Sequence, residues 1–129
     1  MRTPNNIYKN WNKICYIRKR KSDDISTDEY GNEIVEYFEP KKFLLNYQPV
    51  TSDADRANLK PYGVTMEGTV RALMDIKYLG ELNRYDLAYL YDSNPNNEEY
   101  DGRYANYRVV TAIPQNMKIL VYFERLTKN

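Results

Sequence analysis

Tyr107-Arg108-Val109-Val110-Thr111-Ala112-Ile113, a turn at Pro114-Gln115-Asn116, and Met117-Lys118-Ile119-Leu120-Val121-Tyr122-Phe123-Glu124 decide the fold of this chain. Both runs are dominated by β-branched and aromatic residues, which fit a pleated, half-buried surface. Met117, Ile119, Val121 and Phe123 alternate with Lys118, Leu120, Tyr122 and Glu124, the period of a strand. Two such runs around a short turn predict an antiparallel hairpin.

Working backwards, residues 93–105 form a long polar loop without apolar period, carrying Glu98, Glu99 and Asp101. Before it, Tyr85 to Asp92 reads as a strand with Tyr85, Leu87, Tyr89 and Tyr91 on one side. Thr69 to Ile76 is extended, with Val70, Ala72, Met74 and Ile76 lining one face, and Val64 to Glu67 continues that patterning across Gly68. A helix over 70–82 is the competing reading, since Leu73, Ile76, Lys77 and Gly80 give mixed signals. Between Thr51 and Leu59, Thr51 or Ser52 is positioned as an N-cap with acids in the first turn. This predicts one short helix, ended by Pro61 and Gly63. Phe43 to Val50 is a further strand whose Pro49 marks an end or an edge.

The N-terminal third sorts its charge. Arg2 to Lys21 holds seven basic residues and no acid, while Asp23 to Glu39 holds seven acids and no base. Residues 1–12 read as an irregular arm, and Ile14 to Arg20 and Glu33 to Glu39 as strands joined through Tyr30-Gly31-Asn32. They predict a hairpin with one basic and one acidic arm, its charges either meeting across it or meeting those of a neighbouring copy. The whole predicts a single mainly β domain, 1–129, with a core over 13–126. Its form is a small barrel or sandwich of about six or seven antiparallel strands with one short helix.

Composition limits function. The 129 residues contain no histidine, one cysteine (Cys15) and 14 tyrosines against three phenylalanines, at a net charge of +1. Histidine-based triads and histidine-containing zinc sites are excluded. No Gly-rich phosphate loop or nucleophile elbow is present, and Cys15 sits among apolar strand residues, where a buried thiol is expected. Asp53 and Asp55 fit helix capping, and Glu98, Glu99 and Asp101 lack EF-hand spacing. No apolar run reaches the length of a signal-peptide core or a membrane span. The expectation is a cofactor-free, non-enzymatic domain made in a reducing cytoplasm, without membrane association. Tyrosine, with large contact area and few rotamers, suits protein interfaces. Arg18-Lys19-Arg20-Lys21 beside Tyr8, Trp11 and Tyr16 supports another reading, a single-stranded nucleic-acid-binding barrel.

The order of these features resembles the head-closure (head-completion, or stopper) proteins in the neck of long-tailed bacteriophages. The likeness runs over roughly residues 14–126 and includes Thr27-Asp28-Glu29-Tyr30-Gly31-Asn32-Glu33-Ile34 and Phe43-Leu44-Leu45-Asn46-Tyr47-Gln48-Pro49-Val50-Thr51. It implies a β-barrel subunit of a homo-oligomeric ring in the virion, below the portal and adaptor. That ring closes the DNA channel and offers a docking surface to the tail. Contact with packaged DNA is then not sequence-specific. On this basis Arg18, Arg20, Glu33 and Glu36 are subunit-interface candidates, and Glu98, Glu99 and Asp101 channel-loop candidates. A small phage protein that binds a host target is the remaining alternative.

Overall fold

The computed structural model describes residues 13–21, 26, 27, 29–91, 93–96 and 104–126, with the backbone alone of Ser26, Glu33 and Ile34. The strands are β1 (Lys13–Arg18), β2 (Ser26–Thr27), β3 (Glu33–Ile34), β4 (Lys41–Pro49), β5 (Thr69–Asp75), β6 (Leu87–Tyr89), β7 (Tyr107–Gln115) and β8 (Lys118–Arg125). One helix, α1 (Asp53–Leu59), lies between β4 and β5. Six strands close an antiparallel barrel in the order β1-β4-β5-β8-β7-β6, and β2 and β3 form a separate two-stranded ribbon. Closure decides between the two architectures predicted, barrel over sandwich.

Alternation fills the interior. Cys15 and Ile17, Phe43, Leu45 and Tyr47, Val70, Ala72 and Met74, and Ile119, Val121 and Phe123 point inward from β1, β4, β5 and β8. A second cluster lies outside the barrel wall, where Leu120 and Tyr122 on the other face of β8 meet Val110, Val50 and Leu59. β8 is therefore buried on both faces, which is why polar residues flank its run and do not alternate through it. A bulge between Val109 and Thr111 keeps this arrangement in phase. Val109 faces the interior and Val110 the outer cluster, after which Ala112 returns to the inner core and Ile113 to the outer.

The helix forms as its residues predict. Ser52 is the N-cap, its hydroxyl accepting from the Asp55 N–H at 3.1 Å, and Asp53 and Asp55 occupy the first turn. A 3-10 turn, Lys60–Tyr62, carries the Pro, and Gly63 ends it with φ +68°. Seven residues do not make a stable helix alone. Complete burial of Leu59 contributes roughly 2 kcal/mol to docking it. A polar pin adds orientation: the Tyr122 hydroxyl donates to Asp55 Oδ1 at 2.6 Å and accepts from Asn58 Nδ2 at 3.1 Å. Arg71 on β5 stands 3.5 Å from the same carboxylate oxygen.

Four sequence expectations change. Glu33 to Glu39 is not one strand: pairing stops at Ile34 and resumes only as an isolated bridge between Arg20 and Tyr37. β1 pairs instead with β4 and β6, so the inward apolar face of Cys15 and Ile17 chose its partners. Val64 to Glu67 is not strand but a connection reaching Gly68, whose φ is +72°. The run Tyr85 to Asp92 contracts to Leu87–Tyr89, because Tyr85 (φ 75°) and Tyr91 (φ 59°) take left-handed conformations and break the alternation. The last hairpin turns one residue later than expected, at Asn116 and Met117, both with positive φ, and Met117 is 80% exposed. Residues 70–82 are strand β5 followed by a 3-10 turn at Ile76–Tyr78, which excludes the helical reading. The arm 1–12 and the acidic loop residues Glu98, Glu99 and Asp101 lie outside the described residues.

Two stability predictions follow from these turns and pins. A two-residue hairpin turn of this kind favours Gly at its second position, so Met117→Gly raises unfolding free energy by about 0.5–1 kcal/mol in urea titration. For Asp55, burial works to raise the pKa, but hydrogen bonds with Tyr122 and Ser52 and the Arg71 charge outweigh it and hold the carboxyl below its ordinary value. A carboxylate depressed in the folded state stabilises above its unfolded pKa, near ~4, and that stabilisation disappears as pH falls through the folded value. Urea midpoints between pH 6 and 3 fall more steeply for the wild type than for Asp55→Asn.

Candidate interaction surfaces

The residues singled out by charge are brought to one end of β1 but used differently. Arg18 Nε donates to the Phe38 carbonyl at 3.0 Å. The Arg20 N–H donates to Asp86 Oδ1 at 2.9 Å. Glu36 is exposed, and its carbonyl accepts from the Lys21 N–H at 2.9 Å, while Phe38 N–H donates to Lys19 O at 2.7 Å. The basic and acidic arms thus meet through backbone over 19–21 and 36–38. Among the described residues no ion pair joins the basic run to Glu36 or Glu39. Glu33 sits in β3, at the ribbon and away from the barrel wall.

A groove of about 470 Å³ opens on the outer face of β1 and β6. Tyr16, Tyr89 and Tyr104 line it with Pro40 and Pro95, and Arg18 and Glu39 supply one charge of each sign. Tyr16 and Tyr89 are direct cross-strand partners, so the register of barrel closure builds its floor. Its far wall is tied down beyond β6. The Asn106 side chain both accepts from Leu90 N–H and donates to Leu90 O, each at 2.9 Å, and the Ser93 hydroxyl donates to the Tyr104 carbonyl.

Beside the groove an aromatic file caps one end of the barrel. Tyr91 N–H donates to the Tyr47 hydroxyl at 2.9 Å, the two rings meet edge to face at 4.9 Å, and Tyr107 lies 6.1 Å from Tyr91. Lys13 Nζ stands 4.6 Å from the Tyr47 ring centre. Burial first, then Tyr107 and Tyr47, push the Tyr91 phenol above its ordinary pKa. These tyrosines serve the fold as well as the surface.

Another cluster was not legible in the sequence. Tyr85 N–H donates to Val109 O at 2.9 Å and Val109 N–H to Asp86 O at 2.8 Å, which pins the backbone at Tyr85 to β7. Arg84, Arg108 and Arg20 approach that ring, their guanidinium carbons 4.9, 5.5 and 5.8 Å from its centre. Arg84 also stands 5.0 Å from the Tyr62 ring. The three arginines come from three distant segments, brought together by the pairing of β6 with β7 on one side and with β1 on the other, where the Arg20 N–H is held by Asp86.

Chemistry at single residues is limited. Cys15 faces the core with 1% exposure, and burial pushes its thiol far above the ordinary value. Among the described residues no three metal-ligating side chains converge, and no helix is long and apolar enough to cross a membrane. Comparison with protein-family models, with curated proteins and with solved structures finds no match for this chain.

A thiol held neutral inside the barrel is a poor nucleophile. Cys15 is therefore expected to resist a thiol-reactive dye in the native protein and to react fully in denaturing urea, followed by absorbance. Rapid native labelling is the contrary result.

Proposed function

We propose that this chain is a head-closure subunit in the neck of a long-tailed bacteriophage, acting by oligomerisation and steric closure and not by catalysis. In this reading it is made in the bacterial cytoplasm and built into the virion. It forms a homo-oligomeric ring below the portal and adaptor, narrows the DNA channel without reading sequence, and presents a face to the tail.

The observation that carries the reading is an asymmetry of the barrel's outer surface. Over β5, β8 and β7 the wall is covered by α1 and its connection. Over β1 and β4 no described element covers it: Ile14 and Leu44 are cross-strand partners and stay 50% and 44% exposed. A closed barrel has no free strand edge to lend, so copies associate through side chains. An uncovered apolar pair beside a tyrosine-lined groove supplies such a contact. A patch on β1 and β4 that meets a different face of the next copy is heterologous and builds a ring where the rotation closes. Arg18 lines the groove, and with the exposed Glu36 it remains a candidate for a charged rim. Arg20 is committed to Tyr85 and Asp86 within its own subunit.

Density-gradient fractionation of a lysate from the producing culture, followed by mass spectrometry, tests the assignment. The chain is expected in stoichiometric amount with DNA-filled particles; recovery only in the soluble fraction would refute it. In the same preparations, Ile14→Glu with Leu44→Glu is expected to leave the circular dichroism of the barrel intact and to abolish particle incorporation.

A further inference from the structure

We propose that Arg20, Arg84 and Arg108 around Tyr85 form a phosphate-binding site, whose ligand is the phosphodiester of a nucleic acid or a free phosphate. The site lies on β7 and the segment before β6, and β7 is three strands from β4 in either direction around the barrel. It is separate from the bare Ile14–Leu44 strip and does not rest on the ring reading.

Three guanidinium groups share one tyrosine ring, at 4.9, 5.5 and 5.8 Å from its centre. Like charges gathered on one patch repel, and at a surface site the ring's quadrupole returns little of that cost. Protein carboxylates answer it only in part. Arg108 Nε is paired with Glu124. Among the described residues Arg84 has no ion-pair partner, and its contacts are the rings of Tyr85 and Tyr62. Arg20 Nε is buried without a hydrogen-bond partner, although the Arg20 backbone N–H is held by Asp86. Asp86 and Glu124 offset part of the charge of the three arginines, and the remainder, centred on Arg84, is unanswered among the described residues.

The geometry selects the anion. A carboxylate has two oxygens and is matched by one guanidinium fork; Glu124 engages Arg108 through Nε alone. A phosphate group offers additional acceptor oxygens and can be shared by several forks, the arrangement arginine is suited to. The Tyr85 and Tyr62 faces hold Arg84 ready in the meantime, which lowers the cost of ordering it on binding.

Two titrations of the full chain at low salt test the site: inorganic phosphate followed by amide NMR, and a short labelled single-stranded oligonucleotide followed by anisotropy. Phosphate is expected to shift the amides of Arg84, Tyr85 and Arg108, with chloride at equal ionic strength leaving them in place. Phosphate binding without oligonucleotide binding identifies a free phosphate ligand. Oligonucleotide binding that weakens with salt identifies the nucleic-acid backbone. Arg84→Gln is expected to lower affinity roughly tenfold and the salt slope by about one unit. Lys42→Gln removes the same charge from exposed β4 and is expected to change neither. Circular dichroism and the melting temperature establish that Arg84→Gln is folded, and Arg84→Lys, which keeps the charge without the fork, is expected to recover affinity only in part. The proposal is overturned by absence of binding to both probes. Equal losses in Arg84→Gln and Lys42→Gln would overturn it too, as would an acidic peptide that binds the patch when phosphate does not.

Discussion

Closure of the barrel between β1 and β6 is the constraint on which the rest depends. The seam is three residue pairs long: Tyr16 with Tyr89, Ile17 with Ala88 and Arg18 with Leu87. It brings the N-terminal strand to a segment far along the chain, satisfies β1's second row of backbone groups, and seals Ile17 and Ala88 from water. It is short because the chain enters and leaves β6 through left-handed tyrosines, held by Asp86 on one side and by Asn106 and Tyr47 on the other. Both candidate surfaces derive from it. Tyr16 against Tyr89 floors the groove, and the bend at Tyr85 presents the ring that collects the arginines.

The outer surface shows a division of labour. One half of the wall is roofed by a seven-residue helix that holds its place through Leu59 and the Asp55–Tyr122 contact. A lone buried carboxylate would be costly, and here a phenol, a guanidinium and the helix's own cap share it. Among the described residues the other half has no such roof, although Ile14 and Leu44 are as apolar as the residues the helix covers. The same sheet therefore provides a closed face that fixes the fold and an open one available for association.

Much of the barrel was legible because period-2 alternation is strong where one face is buried. β4, β5, β7 and β8 lie close to where their residues placed them, and the Ser52 cap located α1. The errors share a cause. In β6 and in the Glu33–Glu39 run, β-favouring tyrosines and acids fit a strand locally. What limits those segments is tertiary: Asp86 accepting from Arg20 and Asn83, and β1 choosing β4 over the acidic arm. The turn at Asn116 and Met117 was misplaced because Pro114 reads as a turn residue, yet it can stand in β7 opposite Ile119. Of the candidate site residues, Arg18, Arg20 and Glu36 lie near one end of β1, but among the described residues no ion pair joins the basic run to Glu36. Arg84, Tyr85 and Arg108 carry no local signal, since each is an ordinary residue until register assembles them.

The placement of β8 also bears on how the protein is made. As the last strand in sequence it sits between β5 and β7, with Thr69 opposite Glu124 and Tyr107 opposite Arg125. Ile17, among the first residues of the barrel, has to wait for Ala88 before its second neighbour exists. Without β8 the strands β5, β4, β1, β6 and β7 can still pair in that order, but the barrel cannot close, because β5 and β7 are joined only through β8. Closure therefore waits for β8 and for long-range pairings that are intrinsically slow. Until β8 is in place, the facing edges of β5 and β7 are open to pairing with another chain.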